Sequence, residues 1–193
     1  MRIAVHLFDG GEELDWAGPW EVLAYWAQVF DDDVEVVTVA EHSGLVTCAK
    51  GLRVLADHTW DDLGPIDVLI YPGGNGTRAH LGVASIQERV RAFHAAGTLM
   101  VSVCTGSLVY ADAGLLDGRP ATTHWNALDH LAELGADIEV RPDDRFVDDG
   151  DVITAAGVSA GIDAALHLVA RLSSVERARE VRRGIQYDPE PPV

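Results

Sequence analysis

Long apolar runs are missing from this chain of 193 residues, and that absence narrows its biology before any motif is read. No stretch approaches the ~20 apolar residues that would cross a bilayer, and no charged-then-apolar leader opens the chain. Cysteine is scarce: Cys48 and Cys104 are the only two, too few for the framework of a disulfide-stapled domain. Positive charge is scarce as well. Lys and Arg number 14 against 31 Asp and Glu, a formal charge of -17 that repels phosphate backbones and anionic lipid. The expectation is a cytoplasmic protein in a reducing compartment, with no nucleic-acid and no membrane partner. Neither repeats nor linkers interrupt it, so residues 1–193 are expected to form one domain, with Asp188–Pro192 as an extended proline-rich tail.

Several motifs are missing too. No Gly-Lys-Ser/Thr follows a glycine-rich turn, which excludes a P-loop. Gly74-Asn-Gly76-Thr-Arg-Ala79 fits the dinucleotide pattern, but Cys104 stands where the next strand would have to end in a ribose-holding carboxylate. His130 and Glu133 are three residues apart with no third ligand, the pattern of a solvated helix face. Neither a metal nor a cofactor is expected.

What is present is an alternation of strands and helices. Arg2–Phe8, Val34–Ala40, Asp67–Tyr71, Leu99–Val103, Ile138–Val140 and Val152–Thr154 read as strands. Leu45–Cys48 and Leu52–Leu55 read as a small hairpin turning through Lys50-Gly51. A helix is expected to start at Gly18-Pro19, where proline needs no N–H, and others to cover Ile86–Ala96, Ser107–Ala113, Asn126–Leu134 and a segment capped by Ser159. This order predicts an α/β fold with a mostly parallel sheet covered on both faces. Ligands of such sheets sit beyond the carboxyl ends of the strands, where the Asp9–Gly18 loop, the Pro72–Thr77 loop and Cys104-Thr105 would converge.

Cys104 carries the chemistry. It ends a buried strand and stands at the start of a helix, a corner whose free N–H groups are expected to favour thiolate. A buried core cysteine is the alternative. Asp15 is the candidate acid or base: with Gly18-Pro19 supplying the helix start, its carboxylate is free to point into the cleft. The turn at Gly74 offers N–H groups to a developing negative charge, or is only a tight turn. His124-Trp125 either lines the site or is a packed histidine beside a core tryptophan. Cys48, inside the hairpin, is read as structural.

Ser102-Val-Cys-Thr-Gly-Ser107, Ala113-Gly-Leu-Leu116, Ala121-Thr-Thr-His-Trp125, Tyr71-Pro-Gly-Gly74, Leu14-Asp-Trp-Ala-Gly-Pro19 and Ala160-Gly-Ile-Asp163 together resemble the ThiJ/PfpI superfamily. Within it they most resemble the isocyanide hydratases, over Met1 to about Pro192. The resemblance implies a flavodoxin-like three-layer sandwich, usually homodimeric, with Cys104 at a nucleophile elbow. It also implies that Asp15 is the acidic partner of the cysteine, that Thr105 follows it as the hydratases' threonine does, and that Gly74 and Thr105 offer oxyanion donors. Gly73, Asn75, His124, Trp125 and Val158 would line the pocket. Peptidase-like members carry histidine after the cysteine, where Thr105 stands, and amidotransferases need a His-x-Glu pair that His167-Leu-Val169 does not supply. The expected activity is hydration of an isocyanide to an N-substituted formamide through a cysteine thioimidate, without a cofactor. A non-catalytic small-ligand sensor related to AraC-type regulators and a glyoxalase or carbonyl-repair enzyme are the alternatives.

Overall fold

A computed structural model describes residues 1–189. Eleven strands and six helices follow one another as β1 (Arg2–His6), α1 (Glu13–Val29), β2 (Glu35–Ala40), β3 (Val46–Thr47), β4 (Arg53–Val54), β5 (His58–Thr59), β6 (Val68–Tyr71), α2 (Ala84–Ala95), β7 (Leu99–Val103), α3 (Gly106–Asp112), β8 (Pro120–Ala121), α4 (Leu128–Leu134), β9 (Glu139–Val140), β10 (Phe146–Asp148), β11 (Val152–Ala155), α5 (Ala160–Leu172) and α6 (Val175–Gly184). Single 3-10 turns cover Asn75–Ala79 and Trp125–Ala127.

Seven strands form the central sheet in the order β10-β11-β7-β6-β1-β2-β5, all parallel except the edge strand β10. Side chains alternate between its faces. Ile3, Val5, Ile70, Val101 and Val103 pack under α1, α5 and α6 with Val22, Leu168 and Val181. Ala4, Leu69 and Met100 face α2, α3 and α4 with Val90, Leu108 and Leu131. The result is the expected three-layer sandwich with a mostly parallel sheet.

The first helix departs from the sequence reading. It begins at Glu13, with Pro19 inside it rather than at its start. Glu13 and Asp15 occupy the first turn, where acidic side chains complement the helix dipole. Proline at position 19 removes only the N–H that would bond the carbonyl of Asp15. Gly18-Pro19 serves packing instead: a Cβ on Gly18 would lie 2.9 Å from Ile162 Cγ1, and one on Gly161 3.0 Å from Pro19 Cγ, so the pair lets α1 and α5 approach closely.

Ile138–Val140 also differs, since β9 pairs with β8 in a separate two-stranded sheet. Ser159 precedes α5 but makes no side-chain cap; its hydroxyl accepts a hydrogen bond from Arg145 Nη2 at 3.3 Å. Of the expected extended tail at Asp188–Pro192, residues 190–192 lie outside the described residues.

Candidate active site

β7 delivers Cys104 to the carboxyl edge of the sheet, and the backbone there turns through φ +56°, a left-handed corner that few side chains adopt. The corner is held on both sides. The Cys104 N–H lies 3.1 and 2.9 Å from the carbonyls of Ala155 and Ala156, and its own carbonyl accepts hydrogen bonds from Thr123 Oγ1 at 2.9 Å and Ser107 Oγ at 3.1 Å. Glycine is required beneath it. A Cβ on Gly106 would stand 2.2 Å from the Tyr71 carbonyl, and one on Gly73 2.5 Å from the Thr105 nitrogen.

The three segments expected to meet beyond the strands do meet. Glu12 donates its N–H to the Gly73 carbonyl at 2.9 Å, and Gly76 donates to Gly10 at 3.0 Å, which stitches the loop after β1 to the loop after β6. The early start of α1 buries Asp15 completely, at 0% exposure, rather than leaving it in a loop. Its Oδ2 accepts the Gly73 N–H at 2.9 Å, while Oδ1 has no hydrogen-bond partner of good geometry. That second oxygen belongs to the carboxyl whose charge acts on the Cys104 thiol.

Electrostatics correct the expectation of a thiolate. Burial pushes the Asp15 carboxyl up to about 7, with the Gly73 hydrogen bond opposing. Burial and the Asp15 charge push the Cys104 thiol up to about 12, although the N–H groups of Thr105 and Val158 oppose the shift. The α3 N-terminus is therefore outweighed, because Cys104 is only 6% exposed and the nearest charge is negative. Near neutral pH the two groups form a coupled pair that keeps at least one proton.

Of the two expected backbone donors, Gly74 takes another place. The Gly74 N–H is given to Thr105 Oγ1 at 3.0 Å, so it is not free to meet an oxyanion. Thr105 Oγ1 also lies 3.2 Å from the Gly74 carbonyl and 3.1 Å from Thr77 Oγ1. Its hydroxyl does not touch Asp15; it fixes the turn whose Gly73 N–H holds Asp15. The backbone donors facing the sulfur are those of Thr105 and Val158, the latter with φ +39°.

A cleft of about 140 Å³ opens above the thiol, lined by Glu12, Gly74, Asn75, Arg78, Cys104, Thr105, His124, Asn126 and Val158. Asn75, His124 and Val158 were expected there. Gly73 contributes only its backbone beneath the cysteine, and Trp125 is not part of the lining: its indole is 75% exposed and leans on His124, with ring centroids 5.5 Å apart. Sequence reading missed Glu12, Arg78 and Asn126. For Arg78 a signal existed, since no other Lys or Arg lies between Arg53 and Arg89 and it sits inside the glycine-rich turn. Cys48 is buried, its N–H bonded to the Leu52 carbonyl at 2.8 Å, away from this cleft.

Comparison with known proteins gives the chain a family and a fold. The model of the DJ-1/PfpI family matches residues 1–171. Isonitrile hydratase of Pseudomonas putida is 39% identical over 192 residues, covering 100% of this chain and 81% of that protein. The HTH-type transcriptional regulator CdhR of Pseudomonas aeruginosa is 35% identical over 138 residues, 72% of this chain but 40% of the regulator. A ThiJ/PfpI family protein from Pseudomonas syringae superposes with a TM-score of 0.89 at 33% identity, covering 100% of this chain and 77% of that one. DJ-1beta of Drosophila melanogaster superposes at 0.86 with 22% identity, over 97% of this chain and 98% of its own, a likeness of fold alone.

Proposed function

The chain belongs to the DJ-1/PfpI family, and from that premise we propose that it hydrates an isocyanide to an N-substituted formamide, with Cys104 as nucleophile and Asp15 as the proton carrier. The observation that carries this reading is the buried Asp15 carboxyl: one oxygen is pinned by Gly73, the other is unpartnered, and the group titrates near 7 beside the cleft cysteine. Similarity to the isonitrile hydratase of Pseudomonas putida along the whole chain supports the choice of reaction within the family.

The isocyanide carbon accepts both a nucleophile and a proton. Cys104 sulfur bonds to that carbon as its thiol proton passes to Asp15, and Asp15 delivers the proton to the same carbon, leaving a thioimidate, R–N=CH–S–Cys104. Water then attacks the carbon while Asp15 takes one of its protons and passes it to the nitrogen, the other staying on the new hydroxyl until it goes to the sulfur. The tetrahedral adduct expels the sulfur, which recovers its proton, and the products are R–NH–CHO and free Cys104. One isocyanide and one water are consumed and no redox change occurs. The Thr105 and Val158 N–H groups stabilise negative charge on the departing sulfur. The reading carries with it a small-molecule substrate and self-association as a homodimer.

Purified protein incubated with cyclohexyl isocyanide is expected to yield N-cyclohexylformamide, and Cys104→Ala to yield none while retaining its circular dichroism spectrum. Formation of lactate from methylglyoxal with no formamide from any isocyanide would replace this reading by the carbonyl-repair one. Saturable binding without any product would replace it by ligand sensing.

A further inference from the structure

The wall of the cleft opposite the thiol is polar, and its charges are unequally answered. Glu12 lines the cleft, half-buried, but is ion-paired with Lys50. Arg78 has no carboxylate within ion-pair distance among the described residues. Its hydrogen bonds there are two long ones from Nη1, at 3.2 Å to the Gly74 carbonyl and 3.3 Å to Thr77 Oγ1. Its Nε and Nη2 donors thus carry no protein partner, in a chain whose formal charge is -17 and where cations are outnumbered by more than two to one. Beside it, Asn75 and Asn126 add carboxamides to the lining, and that of Asn126 lies 2.6 Å from His124 Nδ1.

A guanidinium with a free fork, set with two carboxamides in the same cleft lining as the nucleophile, suits a planar anion. The geometry points to Arg78 as the specificity-determining residue of the cleft, binding the carboxylate of a short α-isocyano carboxylate while the isocyanide carbon meets Cys104. This deepens the proposed hydration, and its isocyanide part rests on that reading. The carboxylate recognition itself stands on the cleft alone.

Two ratios test it. In the first, kcat/KM for isocyanoacetate is compared with that for its methyl ester, where charge is removed and the reacting group kept. Wild type is expected to favour the acid by at least about tenfold, the discrimination of one good charge-assisted contact, and Arg78→Met to bring the ratio to one or below. In the second, Cys104 is alkylated with iodoacetate and with iodoacetamide, which differ in the same charge and need no turnover. The iodoacetate-to-iodoacetamide rate ratio should drop by about tenfold in Arg78→Met. If neither isocyanide gives a formamide but the alkylation ratio falls, hydration fails and carboxylate recognition stands. Where wild type prefers the ester, or where the substitution leaves both ratios unchanged, the assignment of Arg78 is overturned.

Discussion

At the scale of single residues, Asp15 decides most. Its carboxyl must give up a proton to accept the one from Cys104, so kcat/KM should climb with pH through an apparent value near 7, the titration of the coupled pair. Asp15→Asn keeps the shape and the acceptor for the Gly73 N–H but cannot carry a proton. We expect kcat to fall by at least about a hundredfold, with the rising limb of the pH profile lost. Stability should move the other way. In the folded chain the carboxyl titrates near 7, against 3.8 for the free group, so the fold binds that proton more tightly than the unfolded chain does. Ionising it therefore penalises the fold, beginning above pH 3.8 and reaching full size above pH 7, up to about 4 kcal/mol before relaxation. In urea unfolding at pH 8, Asp15→Asn should match or exceed wild type, and the advantage should shrink towards pH 4. An Asn variant that is active, or destabilised more at pH 8 than at pH 4, would contradict this account. Sequence reading found Asp15 and Cys104 because each stands in a motif. It placed Trp125 in the cleft because neighbouring letters do not say which way each side chain turns, and the 3-10 turn at Trp125–Ala127 swings the indole to solvent.

At the scale of elements, the seam between α1 and α5 is the feature that sets Asp15 in place. Gly161→Leu would drive a side chain into Pro19 and Val103, whose atoms already stand 3.0 and 3.1 Å from a bare Cβ. Overpacking of this kind costs about 1–3 kcal/mol, readable as a lower urea midpoint at unchanged slope. Displacement of α1 should lower kcat as well, although Gly161 touches no reacting atom. This seam was also where the sequence misled. Gly18-Pro19 carries the local signature of a helix start, and only the partner helix reveals that the pair is a contact surface. β7 was legible to the residue because Leu99–Val103 is a continuous apolar run. The strands β5 and β8, of two residues each, and β10, of three, are too short to show any period. α6 escaped notice because six of its ten residues are charged and Val181 is its one buried residue.

At the scale of the whole molecule, the charge imbalance and the sheet order matter. A formal charge of -17 repels itself, and salt shortens the range of that repulsion to about 8 Å at physiological ionic strength. The melting temperature is therefore expected to rise from low to physiological salt; a fall would mean that the ion pairs, such as Arg177 with Asp32, outweigh the repulsion. The sheet order has a different consequence. β11 lies beside β7, and its last residue and the one after it supply the carbonyls that bind the Cys104 N–H, yet it is the last of the parallel strands along the chain. On the ribosome β7 is made some fifty residues earlier, by the difference between Val103 and Val152 in the sequence. Until residues 152–156 emerge, the cysteine sits on an open sheet edge as an ordinary thiol, without the backbone corner that aims it. The backbone corner at Cys104 is thus among the last features the growing polypeptide can complete, because both carbonyls that fix it are made after most strands of the sheet.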